Sequence, residues 1–293
     1  MSHELSHYTA TANEVGARII TAYSTSFSAS TRLLRRDIRP HIRNIYALVR
    51  IADELVDGVG RGAGLARDDV ISQLDALRDE TRQALASGFS TNLIVHAFAV
   101  TARAAHIEWE LVEPFFASMR IDAVHDGRNG AGEHVGKSHG DYVFGSAQVV
   151  GLMCSRVFFM HENRARDPLD DPLLRSGAEA LGAAFQNINF LRDIGHDTAA
   201  LQRHYLGTTT LTSEEFLNWL ATIDRQMHSA HLAINALPRS SRVAVRAAHS
   251  IFKNLHKRMG RKSVADVYRQ RIRVPNTVKL VLISRAVITG GRR

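Results

Sequence analysis

One cysteine in 293 residues, Cys154, excludes an intramolecular disulfide framework and fits a reducing compartment. Proline is scarce, 6 in all, and the long segments between prolines are rich in Ala, Leu, Arg and Val, which favours helix over strand. No run reaches the ~18 apolar residues that a membrane-crossing helix needs. The nearest, Val278 to Thr289, is short and carries Arg285. The first residues, Met1 to Glu14, are polar and lack the apolar core of a secretion signal. The expectation is a cytoplasmic protein.

Acidic residues are outnumbered, 29 against 37 Lys and Arg, for a net charge of +8. Such a balance suits nucleic acid, an anionic membrane surface or a polyanionic substrate, or is simply a solvated basic face. The basic groups are densest at Arg32 to Arg43, Arg239 to Arg261 and Arg269 to Arg273. Aromatics do not interleave with them, and no zinc-finger spacing or RNA-recognition signature is present, so no nucleic-acid partner is expected.

What the chain has in abundance is helical periodicity, and the expectation is one all-α domain over residues 1–293. Residues 1–12 read as a loose start. A helix follows to Tyr23, and Ser24-Thr25-Ser26-Phe27-Ser28 reads as a hydroxyl-rich cap. Ile42, Ile45, Tyr46, Val49, Asp53, Val56 and Asp57 share one helical face, which ends at Gly58. The glycine-rich run Gly58 to Gly64 follows a helix instead of a strand, so it reads as a loop and not as a dinucleotide fingerprint. Residues 123–141, rich in Gly and His, read as a mobile surface loop. Its histidines lack the spacing of a metal site. Thr212 or Ser213 with Glu215 forms a capping-box pattern.

The chemistry is concentrated in two stretches. Asp53 and Asp57 stand four apart, as do Asp193 and Asp197, which puts each pair about one helical turn apart on one face. Each pair continues an otherwise apolar or uncharged stripe, the second formed by Gly182, Phe185, Gln186 and Asn189. Carboxylates drawn into a core need cations, either arginines or a divalent metal. With Asn189 the donors are all oxygen, a set that suits Mg²⁺ shared with substrate phosphates, while Arg50 and Arg192 stand ready to grip those phosphates.

These stretches resemble the squalene/phytoene synthase family, the head-to-head prenyl synthases of the isoprenoid synthase α-fold. The resemblance runs from Tyr23 to about Lys279. It is carried by Tyr23-Ser24-Thr25-Ser26-Phe27, by Tyr46 to Asp57, by the helix Tyr142 to Met153, by Ala184 to Asp197 and by Arg203-His204-Tyr205. It implies a helical bundle around a central cavity. Asp53, Asp57, Asn189, Asp193 and Asp197 would hold Mg²⁺, or Mn²⁺ in its place, on two allylic diphosphates. Ser24, Ser26, Phe27, Arg50, Arg192, Arg203, Tyr205 and Arg271 would bind or shield the substrates, and Tyr46, Tyr142 and Gln186 would line the reacting centre.

The resemblance further implies joining of two prenyl chains through a cyclopropyl diphosphate. With geranylgeranyl diphosphate the product is phytoene. With farnesyl diphosphate it is presqualene diphosphate, dehydrosqualene or, with NADPH, squalene. Phe144, Ala147, Met153 and Phe185 are expected to set cavity depth. The chain departs from the family pattern at Thr25, usually Lys, and at Glu54, Gln148 and His196. Two readings of another kind remain: an inactive relative serving as an interaction subunit, and a basic surface that touches anionic membranes.

Overall fold

The computed structural model describes residues 2–124, 138–163, 165–196, 206 and 210–290, and among these there is no β-strand. Helix α1 spans His3–Tyr23. It begins ten residues before the expected start, because the Ser2 side chain caps it by accepting from Leu5 N at 3.2 Å. Tyr8 then ties this first turn to the bundle by donating to Thr91 O at 2.9 Å. The expected loose stretch 1–12 is therefore helical over the residues described, fixed by a cap and a long-range tyrosine bond that hydrophobic periodicity does not register.

Helix α2, Thr25–Thr31, opens at the predicted cap, with Ser24 Oγ accepting from Phe27 N at 3.1 Å. Helix α3 spans Arg39–Glu54 and passes into a wide turn, Leu55–Val59, and a short helix α4, Gly60–Gly62. The helix does not end at Gly58 as expected. Gly58 takes φ 129°, a backbone that L side chains resist, so it bends the helix within the wide turn. Helices α5 (Arg67–Ser87), α6 (Leu93–Ala104) and α7 (Trp109–Val124) follow.

Helix α8, His139–Val143, begins inside the segment expected to be a loop. Ser138 and Asp141 form a capping box that starts it. Residues 125–137, with His125 and His134, lie outside the described residues. Through the wide turn Phe144–Gln148, α8 joins α9, Val149–Phe159. The joined helix His139–Phe159 is long and apolar enough by composition to cross a bilayer, contrary to the expectation, but more than half of its most apolar window is buried inside the bundle.

Helix α10, Pro172–His196, carries the second acidic stretch. Helices α11 (Ser213–Ile234), α12 (Arg239–Met259), α13 (Val264–Arg269) and α14 (Asn276–Gly290) complete the bundle. The Thr212–Glu215 capping box is formed at the start of α11.

Two large cores result. One joins α3, α5, α6, α7 and α9 around Ile45, Leu48, Phe98, Phe115 and Met153. The other joins α10 to α14 around Ile188, Leu191, Ile223, Ile251 and Met259. A small third cluster holds Phe159, Leu174, Ile234, Leu237 and Val245. Helix α10 packs closely on α11, and a Cβ on Gly177 would meet the Ala233 Cβ at 2.0 Å, so only glycine permits that approach. The space left between the cores is the functional cavity.

Candidate active site

Helix α3 delivers Arg50 and Asp53 to the cavity wall, and α10 delivers Gln186, Asn189 and Arg192 from the opposite side. Arg50 Nη1 donates to Asp53 Oδ2 at 2.9 Å and a second amine of the same guanidinium pairs with Glu54. The Arg50 guanidinium also lies over the Tyr23 ring, 4.7 Å from its centroid. On α10, Arg192 Nε donates to Asp193 Oδ1 at 3.0 Å. Arg271, 78 residues further on, reaches the same carboxylate with Nε 2.7 Å from Oδ1. Burial would raise the Asp193 pKa, but the hydrogen bonds and charges of Arg192 and Arg271 outweigh it and hold the carboxyl below its usual range. Of the two ways to satisfy inward-facing carboxylates, arginine pairing is thus built into the fold, and Asp193 is ionised at neutral pH.

The N-terminal hydroxyl turn and the far end of the chain meet at this mouth. Ser24, Thr25 and Ser26 line it from α2, and Arg271 to Asn276 and Lys279 line it from the segment that leads into α14. Lys279 Nζ donates to Thr25 Oγ1 at 2.6 Å. Burial lowers the Lys279 pKa, and the neighbouring Arg192 and Arg273 lower it further. These neighbouring cations concentrate positive charge at the mouth. Lys279, Arg273 and Asn276 were not singled out from sequence. The excess of basic residues near the C-terminus was visible, but its arrival beside Thr25 is a tertiary fact.

Below the charged mouth stands a collar of rings. Phe27 lies 6.1 Å from Tyr46, 5.7 Å from Phe185 and 5.3 Å from Phe252, centroid to centroid, and Phe185 stacks on Phe252 at 3.9 Å. Burial raises the Tyr46 pKa, so its phenol stays protonated, and it is bonded to Ser24. Beyond the collar the cavity is lined by Ile45, Val150, Leu174, Ala178, Ala233, Val245 and other apolar or small side chains. Its volume is about 1070 Å³. On α10 the lining runs from Leu174 to Arg192, about 27 Å along the axis at the α-helical rise.

The structure thus brings Ser24, Ser26, Phe27, Tyr46, Arg50, Asp53, Gln186, Asn189, Arg192 and Arg271 to one cavity. Asp193 faces it through its arginines. Asp57 lies in the wide turn after α3 and is not among the lining residues, because that turn shifts the register that a regular helix would have kept. Tyr142 is not in the lining either. It is 2% exposed, in the second core, and donates to Asp122 Oδ2 at 2.6 Å. Of the residues expected to set cavity depth, Ala147 and Phe185 line the cavity, whereas Phe144 and Met153 do not and pack in the first core. Asp197, Arg203 and Tyr205 lie outside the described residues, as does the His196 side chain.

A divalent metal fits the donors that are present. Asn189 Oδ1 is buried, lies on a residue that lines the cavity and has no hydrogen-bond partner among the described residues, one turn from the ionised Asp193. An unsatisfied buried carbonyl oxygen is costly unless a cation or ligand takes it up. Among the described residues no group of three His, Cys, Asp or Glu side chains forms a metal cluster, and one acidic residue of the pattern, Asp197, lies beyond them.

Residues 20–278 match the family model for squalene/phytoene synthase. The chain belongs to the squalene/phytoene synthase family, a family of prenyltransferase-type enzymes. It is 29% identical over 284 residues to a 15-cis-phytoene synthase of a Paracoccus species, covering 90% of this chain and 87% of that one. It is 26% identical to a phytoene synthase of Cereibacter sphaeroides, covering 86% and 73%. In fold it is similar to a dehydrosqualene synthase solved with a ligand, with TM-score 0.76, 19% identity and coverage of 96% and 97%. A squalene synthase from Alicyclobacillus acidocaldarius gives TM-score 0.68 at 18% identity, over 86% and 94%. The isoprenoid synthase fold expected from sequence is thereby established.

Proposed function

We propose that the protein joins two molecules of geranylgeranyl diphosphate head to head, giving phytoene and two diphosphates. The observation that carries this reading is one cavity, about 1070 Å³, with arginines, a lysine and an unsatisfied Asn189 oxygen at its mouth and apolar walls behind. Its volume exceeds the on the order of 300–1000 Å³ of pockets that take one drug-sized ligand. Along α10 it is long enough for an extended twenty-carbon chain, and Gly177, Ala178, Ala233, Ala244 and Ala248 leave that depth open.

Asp53, Asn189 and Asp193 would hold Mg²⁺, or Mn²⁺, with Asp57 and Asp197 supplying the rest of the acidic pattern. The metal would neutralise diphosphate charge as a Lewis acid and so favour departure of the leaving group. Arg50, Arg192, Arg271 and Lys279 bind the same oxygens by charge-assisted hydrogen bonds. Phe27, Tyr46, Phe185 and Phe252 present ring faces and edges below the mouth, where an allylic cation would form, and exclude water from it. The second chain's double bond attacks that cation to give a cyclopropyl diphosphate with loss of one proton. A second ionisation, rearrangement and proton loss complete the hydrocarbon. The cavity walls contribute positioning of the two chains.

The test is incubation of the purified protein with Mg²⁺ and geranylgeranyl or farnesyl diphosphate, with and without NADPH, followed by identification of the hydrocarbon. Phytoene from the longer substrate without NADPH is expected. Product from farnesyl diphosphate alone would move the assignment to the shorter-chain members, and no diphosphate release from either would overturn it.

A further inference from the structure

The outer face of α14 carries four exposed apolar side chains, and no described residue of the bundle covers them. Leu280, Val281, Val287 and Ile288 are 64%, 66%, 47% and 65% exposed, and they line one side of the helix at spacings of one, seven and eight. The opposite side, Val278, Leu282, Ile283 and Ala286, is packed into the second core, so the helix is held in place by one face while it presents the other. From Val267 onward the sequence has seven Lys or Arg residues and no Asp or Glu. Among the described ones, Arg273 is exposed just before the helix, and Arg285 is exposed within it, between Val281 and Val287 and beside the apolar strip. The first turn of α14 is also the rim of the cavity, where Asn276 and Lys279 line the mouth.

We infer that α14 is the surface by which this protein rests on an anionic lipid leaflet. Its 15 residues span about 22 Å, too short to cross a hydrocarbon core of roughly 30 Å. An apolar strip flanked by arginines instead lies in the interfacial plane, with its apolar side chains among the acyl chains and its cations at the headgroups. A second copy of the chain is a poorer occupant, because pairing this face with itself would set two acid-free basic segments against each other. Lipid also suits the cavity. If the product is the hydrocarbon proposed above, and this part of the argument rests on that reading, the mouth beside α14 opens where such a molecule dissolves. The surface itself does not depend on which prenyl chain is used.

Flotation of the full chain with phosphatidylglycerol–phosphatidylcholine vesicles, without substrate, tests the inference. Binding to these vesicles is expected, with at least tenfold less to phosphatidylcholine alone and a loss as salt is raised. The variant L280S/V281S/I288S should retain its circular dichroism and lose at least tenfold in vesicle binding. The variant L217S/L232S, altered at two exposed leucines of α11, should bind as the parent does. Equal loss in both variants, equal binding to both vesicle types, or no binding would overturn it, as would a dimer in sedimentation that the α14 variant dissolves. Diphosphate release in detergent micelles, measured alongside, should be the same in the α14 variant and the parent. It separates failure of the docking surface from failure of the proposed activity.

Discussion

Lys279 Nζ donates a hydrogen bond of 2.6 Å to Thr25 Oγ1, joining residues 254 positions apart at the rim of the cavity. Thr25 stands where the family resemblance leads one to expect lysine. A cation from α14 thus stands beside the α2 position at which the resemblance implies one.

This placement is testable as a cycle. Lys279→Ala should raise KM for the diphosphate substrate about tenfold, or ~1.4 kcal/mol, the low end for a hydrogen bond to a charged group at a site open to solvent. Thr25→Lys in that background should recover most of the loss, since it returns a cation to the same place. Steady-state kinetics of the single and double variants measure the coupling. No recovery in the double variant would show that the two positions are not interchangeable.

The acidic motifs were legible in sequence because α3 and α10 are regular over most of their lengths, so a spacing of three and four reports one face. That inference fails where the backbone departs from the α-helix. Asp57 lies within the wide turn Leu55–Val59 and is not among the residues that line the cavity with Asp53. Tyr142, which motif position placed at the reacting centre, is turned to Asp122 instead. Arg271 and Lys279 could be counted as basic residues, but only chain folding brings them to Asp193 and Thr25. The early start of α1 rests on Ser2 and Tyr8, a cap and a tether that carry little apolar signal.

Buried and half-buried histidines should make stability fall on mild acidification. His249 and His256 bond to the carbonyls of Met227 and Leu220, which pins α12 to α11. Burial lowers both pKa values, more than those backbone bonds raise them. His41, bonded to Thr101 Oγ1, is lowered by burial as well. The unfolded chain has a histidine pKa of ~6.5 and takes up protons before the folded one does. Stability is therefore full above about pH 6.5 and is lost as pH falls toward the depressed folded values. Urea unfolding at pH 7.5, 6.5 and 5.5 should show a falling midpoint, and His249→Gln should flatten the trend. A midpoint independent of pH over this range would contradict the account.

The close approach of α10 to α11 predicts a compensating pair. Gly177→Ala would drive a methyl to 2.0 Å from the Ala233 Cβ and should lower stability by ~1–3 kcal/mol through overpacking. Adding Ala233→Gly removes the obstructing group and should restore at least half of the loss. Thermal unfolding of the three variants measures this. Additive effects of the two changes would place the strain elsewhere.

The central claim is that Asp53 from α3 and Asn189 and Asp193 from α10 belong to one metal-dependent diphosphate site at the mouth of an apolar cavity. Its most direct measurement is calorimetric titration of a non-hydrolysable geranylgeranyl thiodiphosphate into the protein, with Mg²⁺ and with EDTA. Binding at least tenfold tighter with Mg²⁺ is predicted, with that difference abolished in Asp53→Asn. Equal affinity with and without Mg²⁺ in the parent protein would contradict it.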